Sequence, residues 1–309
     1  MPLKSIWAQN TPYSKFLLGV GVILISAVAF TLLSTVVVTG LYGIPMYQLE
    51  NMLQDVKNPL TLQVLKVIQT GSTIGTFIVP AWVLAYLFHG DPKEYLQLRK
   101  LAPAKSLLWV GLGMLTAVPL INLLGDLNSK MHLPSFLAPV EQWMRDSEDK
   151  AAVLTEAFLD MPDPGALLFN LFMIALLPAI GEECLFRGVV QRLFSEWSGK
   201  KQVGIWAAAL LFSAMHLQFY GFVPRLLLGA LLGYLLLWSG SIWLPMLAHF
   251  LNNAAAVIAA YLYQHQLISA NPDTLGLGPE QFMVLLASIV LTALCFTLGK
   301  RATQSAIIR

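Results

Sequence analysis

The stretch LLFNLFMIALLPAIGEECLFRGVVQRLF, residues 167–194, is a long apolar run interrupted by a short group of charged residues. A helix rises about 1.5 Å per residue, so about 20 apolar residues cross the roughly 30 Å hydrocarbon core of a bilayer. Similar apolar runs recur on both sides of this stretch. The predicted spans are 16–40, 62–88, 107–124, 167–194, 203–217, 222–238, 242–263 and 282–299, of which the fifth is the shortest.

The composition agrees with a membrane protein. Of 309 residues 57% are hydrophobic and only 12% are charged, against about 25% charged in an ordinary soluble domain. A net charge of +2 is too small for a nucleic-acid binder. Because lipid offers no partner to backbone amides, long runs without two-residue alternation predict helices rather than barrel strands. We therefore expect an all-α, polytopic protein with about eight transmembrane helices.

Positively charged residues outside the spans predict the orientation. If the N-terminus is cytoplasmic, twelve Lys and Arg residues fall on the cytoplasmic side and five on the other. The twelve are Lys4, Lys15, Lys93, Arg99, Lys100, Lys105, Arg192, Lys200, Lys201, Lys300, Arg301 and Arg309, and the five are Lys57, Lys130, Arg145, Lys150 and Arg225. This bias predicts that both termini are cytoplasmic. The expected location is the plasma (cytoplasmic) membrane.

A long acidic connection divides the chain, and the predicted orientation puts it on the outer face. Its centre, 140–159, mixes apolar with charged residues as an interfacial helix does. Two interpretations stay open, a solvated connecting helix and a substrate-guiding lid. The predicted organisation is a three-span scaffold (1–125), the outer connection (126–165), a four-span core (166–263) and a last span with a basic tail (264–309).

Ionisable side chains inside a membrane are costly and usually face a cavity or a partner. Only Glu182, Glu183, His216 and His249 combine this depth with the chemistry of acids and bases. Glu183 and Arg187 are four residues apart on one helix face and are expected to form an ion pair that fixes packing. Glu182 points about 100° away from Glu183 and lacks that cation. It is therefore the carboxylate that is free for general acid or base catalysis.

The later spans supply further polar groups. His249 and Asn253 are four residues apart and share a helix face, while His216 follows Phe212 by one turn. Measured along their helices, these groups can meet Glu182 near mid-membrane, somewhat on the cytoplasmic side. By contrast, the small-residue pairs Gly71 with Gly75 and Gly229 with Gly233 need no chemistry, because such spacing is typical of close helix packing.

At these residues the sequence resembles the CAAX protease and bacteriocin-processing (CPBP) family of intramembrane endopeptidases, which includes the Rce1-type prenyl-protein proteases. Three motifs carry the resemblance, and they occur in order on separate spans. They are two glutamates followed by arginine (Glu182, Glu183, Arg187), phenylalanine followed by histidine four residues on (Phe212, His216), and histidine followed by asparagine four residues on (His249, Asn253). The resemblance covers roughly 167–263.

The resemblance implies an endopeptidase that hydrolyses membrane-associated, in some relatives prenylated, substrates. Glu182 and His216 would activate a water molecule, and His249 and Asn253 would stabilise the oxyanion. Glu183, Arg187 and Phe212 would support the site. The expected partners are a membrane-bound peptide or protein substrate and the bilayer, and the sequence does not indicate an oligomeric state.

A metal is the first open alternative. Glu182, His216 and His249 would satisfy a His₂Glu zinc site, but the zinc-protease motif HExxH is missing and asparagine is a poor zinc ligand. We favour catalysis by glutamate and histidine without zinc. Two other functions also stay open, a proton-coupled transporter and a catalytically silent immunity or scaffold protein on the same fold.

Overall fold

A computed structural model describes residues 6–307 of the chain. These residues form helices joined by short connections, and no strand occurs among them. The α-helices are α1 (Pro12–Tyr42), α2 (Met46–Met52), α3 (Pro59–Thr73), α4 (Val79–His89), α5 (Pro92–Tyr95), α6 (Ala104–Thr116), α7 (Val118–Ser129), α8 (Ala138–Leu159), α9 (Pro164–Asn170), α10 (Leu177–Glu182), α11 (Gln191–Ser198), α12 (Lys201–Met215), α13 (Phe222–Ser239), α14 (Trp243–Gln264) and α15 (Phe282–Ile307). The predicted all-α, multi-pass membrane class is confirmed.

Six continuous helices of the described chain are long and apolar enough to cross a membrane, and the pair α6 and α7, bent by 47°, makes a seventh if it is one span. The predicted fifth span, 203–217, forms α12, which has only 15 residues. This helix ends early because Leu217 adopts the left-handed conformation, with φ 51°. The eight apolar segments are therefore all helical, but α12 is shorter than a span.

Two of the membrane helices contain π-helical turns. Residues Ile74–Ile78 join α3 to α4, and Leu171–Leu176 and Glu183–Val190 flank α10 in the span that runs from Pro164 to Ser198. A π-helical turn rotates the side chains that follow it relative to a regular α-helix and is frequent at functional sites. The short helix α10 thus carries Glu182 between two such turns.

The basic ends of the helices come together on one face of the bundle, called here the basic face. Lys15 of α1 lies 3.9 Å from Glu196 of α11, and the Trp243 indole of α14 donates to the Leu98 carbonyl at 2.9 Å. The α8 face is the opposite one and includes α8 and the 219–221 turn. Lys4 and Arg309 lie outside the described residues. The cytoplasmic location of the basic face remains a prediction.

Small residues let the helices approach closely, as their spacing predicts. A side chain at Gly71 or Gly75 would collide with Ser34 or Phe30 of α1. A methyl group on Gly229 of α13 would lie 3.1 Å from the Cα atom of Ala209 in α12. These glycines allow van der Waals contact between backbones, which is a main source of helix association in a membrane.

Candidate active site

Neighbouring glutamates on span 4 face different surroundings. Glu183 begins a π-helical turn and its side chain is completely buried in protein. Glu182 ends α10, is 7% exposed and lines a cavity. The two carboxylates therefore have separate environments, as the helical geometry predicts.

The Glu183 carboxylate is the centre of a buried polar cluster. Its Oε1 atom accepts a hydrogen bond from Arg187 Nη1 at 2.8 Å and one from His249 Nδ1 at 2.8 Å. Arg187 also donates from Nη2 to the Gly229 carbonyl at 3.1 Å. The predicted Glu183–Arg187 ion pair is confirmed, while the bond to His249 was not predicted. Glu183 thus links span 4 to α14 and fixes the orientation of the His249 ring.

Phe212 packs at the centre of the motif residues. Its ring lies edge-on to the rings of His216 and His249, with centroid separations of 5.1 and 5.8 Å. The Arg187 guanidinium lies over the same ring, 4.6 Å from the centroid. A cation over an aromatic face is stabilised by the ring's quadrupole. Phe212 therefore contacts both histidines and the arginine at once.

The sequence-predicted site residues meet at a single cavity of about 580 Å³. Glu182, His216, His249 and Asn253 all line it. The Oε2 atom of Glu182 lies 3.9 Å from His249 Nε2, and among the described residues this oxygen has no hydrogen-bond partner. A separation of 3.9 Å is too long for a direct hydrogen bond between the two side chains, so this carboxylate oxygen is left for another donor. Glu182 faces protein and cavity rather than lipid.

His216 caps the end of α12 and lies at the cavity wall. Its Nδ1 atom is 2.8 Å from the Phe212 carbonyl oxygen. Because a carbonyl can only accept, Nδ1 carries the hydrogen, and the Nε2 lone pair of the neutral ring is free. The left-handed backbone of Leu217 then turns the chain away from the helix axis. Helix end and turn together present an unprotonated imidazole nitrogen at the cavity.

Asn253 is held by span 4. Its Nδ2 donates to the Ile174 carbonyl at 3.1 Å, and its Oδ1 accepts from Asn252 Nδ2 at 3.1 Å. Ile174 belongs to the π-helical turn Leu171–Leu176. An amide nitrogen has two hydrogens, so one remains for a further acceptor. The side chain is therefore both oriented and able to donate.

The structure adds residues that the sequence reasoning did not assign to the site. Arg225 of α13 lines the cavity, whereas it was counted among the surface residues of the outer side. Helix α8 supplies a wall through Leu154, Thr155 and Phe158. A cation in the first turn of an apolar helix, close in sequence to His216, was the signal that could have identified Arg225. The amphipathic pattern of α8 indicated that one face contacts the protein, without saying where.

The cavity extends from Glu182 toward helix α8. The cavity residues of span 2 (Gln69, Thr73, Phe77), of span 4 up to Glu182, and of α14 from His249 to Ala256 lie level with Glu182 or on its α8 side. In the predicted orientation the cavity thus extends toward the outer face, and not toward the cytoplasmic side.

The contact between α8 and the 219–221 turn is electrostatic and aromatic. Arg145 donates to Glu141 at 2.7 Å and lies over the Tyr220 ring, 4.9 Å from its centroid. The Arg145 hydrogen bond, followed by those from His132 and the Leu133 amide, lowers the pKa of the Glu141 carboxyl to about 2. Glu141 is therefore ionised throughout the physiological range.

The described residues do not fit the zinc site that the sequence left open. No group of three His, Cys, Asp or Glu side chains among residues 6–307 is arranged to hold a metal ion. His249 turns Nδ1 to Glu183, and His216 turns Nδ1 to a backbone carbonyl, so each has one free nitrogen. Glu182 and His249 are near one another, but His216 does not complete a three-ligand set with them.

Comparison with known proteins supports the relationship drawn from the motifs. Residues 164–255 match the family model described as type II CAAX prenyl endopeptidase Rce1-like. The uncharacterized protein YpbD of Bacillus subtilis (strain 168) is 34% identical over 89 residues, which are 28% of this chain and 42% of that protein. The chain thus covers less than half the length of that relative. No solved structure matches the chain. The segment 164–255 of this multi-pass membrane protein is thus similar to the Rce1-like family, whose members are proteases of the CAAX type.

Proposed function

We propose that this chain is an intramembrane endopeptidase that hydrolyses peptide bonds of membrane-associated substrates with a water molecule activated by Glu182 and His216. The observation that carries the proposal is the cavity. There a buried carboxylate, which forms no ion pair with a Lys or Arg of residues 6–307, lies 3.9 Å from one histidine and shares its surroundings with a second. These are the residue types that proton transfer requires, and they lie on an Rce1-like domain.

The first step is the attack of water on the substrate carbonyl. The Glu182 carboxylate accepts a proton from the water as its oxygen bonds to the carbonyl carbon. The free Nε2 atom of His216 accepts a hydrogen bond from the same water and orients it. A general base positioned in this way contributes about 10²- to 10⁴-fold to the rate.

The second step is collapse of the tetrahedral oxyanion. His249, protonated at Nε2 and paired with Glu183 through Nδ1, and the second amide hydrogen of Asn253 donate to the oxyanion. The carbon–nitrogen bond then breaks, and the proton held by Glu182 passes to the leaving nitrogen. Fixed donors stabilise a charge that exists only in the transition state, and loss of one such donor costs about 10²- to 10³-fold in rate.

Glu183 and Arg187 take no part in proton transfer in this scheme. Their ion pair orients His249 and joins span 4 to α13 through the Gly229 carbonyl. This positioning role follows from their almost complete burial away from the cavity.

We propose that the reaction proceeds without zinc, since the described side chains do not assemble a three-ligand set. The proposed substrate is a membrane-bound peptide or protein, and the proposed location is the plasma (cytoplasmic) membrane. The cavity extends toward α8, so we propose that the substrate enters it beside that helix.

The experiment compares peptide termini in membranes from cells that express the wild-type chain, the Glu182→Gln variant, or neither. We expect new termini in wild-type membranes that are missing from the other two samples. Glu141→Gln on α8 is the control, because it removes a carboxylate outside the cavity and should leave cleavage in place. Wild-type termini that persist in Glu182→Gln membranes would rule out the mechanism. If no sample shows new termini, the chain is not a peptidase under these conditions, and proton-coupled transport is then the function to assay.

A further inference from the structure

Arg225 is a second charged group in the catalytic cavity, and nothing in the proposed reaction uses it. It lies in the first turn of α13 and lines the cavity together with Glu182 and both site histidines. Leu228, three residues later on the same face of the helix, lines the cavity as well. The guanidinium is therefore part of the surface that a substrate would contact.

The hydrogen bonds of Arg225 leave most of its donors available. Nη1 donates to the Gln218 carbonyl at 3.2 Å and Nη2 to the Gln218 side-chain oxygen at 2.7 Å. A guanidinium has five N–H donors. The absence of a side chain at Gly221 makes room for the group, because a methyl carbon there would lie 3.1 Å from Nη2. Gln218 and Gly221 hold the guanidinium in place without neutralising it.

No carboxylate of residues 6–307 lies within 4.0 Å of the Arg225 guanidinium. Four other arginines do have such a partner in the described chain. They are Arg99 with Asp91, Arg145 with Glu141, Arg187 with Glu183, and Arg192 with Glu196. A half-buried cation with no carboxylate in direct contact is costly, and an anion bound against it would offset that cost.

Arg225 lies on the α8 side of the buried Glu183–Arg187 pair and lines the same cavity as Glu182. Gly229, whose carbonyl bonds Arg187, lies one helical turn further along α13, or about 6 Å toward the basic face. An extended peptide covers about 3.3–3.6 Å per residue. Arg225 is therefore about two substrate residues from the level of the Glu183–Arg187 pair, on the α8 side.

We propose that Arg225 is a specificity residue that binds a carboxylate of the peptide substrate inside the catalytic cavity. The planar guanidinium can hold a carboxylate through two parallel hydrogen bonds. The carboxylate comes either from the C-terminus of the substrate or from an Asp or Glu side chain. This inference rests on the proposed function for the identity of the ligand as a peptide.

The test measures binding separately from cleavage. Purified Glu182→Gln protein in detergent micelles is mixed with fluorescent libraries of random octapeptides that end in a free carboxylate or in a carboxamide. Each library is made with and without Asp and Glu. We expect about ten- to hundredfold tighter binding of one carboxylate-bearing class, since a hydrogen bond to a charged group has about that effect. The libraries that differ only in the terminal group identify a C-terminal source, and those that differ only in acidic residues identify a side-chain source.

Variants then assign the preference to Arg225. We expect Arg225→Gln to abolish the preference and Arg225→Lys to retain part of it, because lysine keeps the charge and loses the planar fork. Lys150→Gln is the control, since Lys150 is an exposed cation of α8 outside the cavity lining. It should leave the preference unchanged. The preference is first measured in protein that carries Arg225. That measurement tests the proposal even if neither Arg225 variant folds.

Equal binding of all libraries, binding of none, or a preference that survives in folded Arg225→Gln protein would overturn the assignment. The outcome is independent of catalysis. A carboxylate preference that depends on Arg225, found in a chain that never cleaves a peptide, would support the subsite and reject the peptidase. Cleavage with no carboxylate preference would support the peptidase and reject the subsite. In an active enzyme we also expect Arg225→Gln to raise KM more than it lowers kcat, whereas a general loss of structure would lower kcat.

Discussion

Replacing Glu183 by Gln should strongly destabilise the protein, although the two side chains have nearly the same shape. The Arg187 side chain is 1% exposed and that of Glu183 is 0% exposed, so solvent cannot replace the lost carboxylate. Removing one member of a buried ion pair costs about 3–5 kcal/mol. That is a large part of the roughly 5–15 kcal/mol that stabilises a typical folded domain. We expect the variant to unfold at clearly lower denaturant concentration.

The assay is equilibrium unfolding in mixed micelles as the fraction of sodium dodecyl sulfate is increased. The Glu196→Gln variant is the control, because Arg192 and Glu196 also form a bond four residues apart on a helix, at 3.0 Å, but are both more than a third exposed. An exposed pair contributes about 0–1 kcal/mol. A second variant combines Glu183→Gln with Arg187→Met, which removes the uncompensated cation, and should recover most of the lost stability.

Two results would refute this reasoning. One is a loss for Glu183→Gln no larger than that for Glu196→Gln, which would mean that the buried pair has little effect. The other is a double variant whose loss of stability equals the sum of the losses measured for Glu183→Gln alone and for Arg187→Met alone. Additive losses would show that Glu183 and Arg187 act on stability independently.

Three further outcomes are expected. Gly204→Ala should destabilise the folded protein by about 1–3 kcal/mol, as overpacking does, because the new methyl group would meet backbone atoms of Gln191 and Ser195. Thermal unfolding measures this loss. The control is Gly21→Ala, which should change stability little because nothing lies within 4 Å of the added methyl group. The Glu141 carboxyl should titrate with a pKa of about 2, so its contacts persist at neutral pH and are lost as the pH falls from the ordinary range toward 2; a normal midpoint by carbon NMR would contradict this. Cleavage should survive a zinc chelator, and activity that is lost and then restored by zinc would reinstate a metal mechanism.

The fold class and most helices could be predicted because length and apolarity are local properties of the sequence. The eight apolar runs all became helices, and the glycine pairs pack where their spacing indicates. The length of α12 could not be predicted, because it depends on Leu217 in a left-handed conformation that leucine rarely adopts. Nothing in the periodicity indicated the π-helical turns around α10, which reflect packing of the whole span.

The candidate site also has features that could be predicted from the sequence and features that could not. Pairs four residues apart on one helix, such as Glu183 with Arg187, follow from helical geometry and were predicted. Contacts between helices, such as His249 with Glu183 and α8 with the cavity, depend on tertiary packing and were missed. Arg225 was missed for a different reason. The count of charges for orientation treated it as a residue outside the spans, whereas the first turn of α13 turns it toward Glu182.

The most direct test of the account is the rate of a single turnover by purified Glu182→Gln protein on a peptide that the wild type cleaves, measured beside unfolding of the same samples. Glu182 is buried and has no cation within ion-pair contact in the described chain except His249 at 3.9 Å. The neutral amide should therefore leave stability unchanged or increase it, while cleavage falls by at least about 10²-fold. Cleavage within tenfold of the wild-type rate, in protein that unfolds normally, would contradict the central role of Glu182.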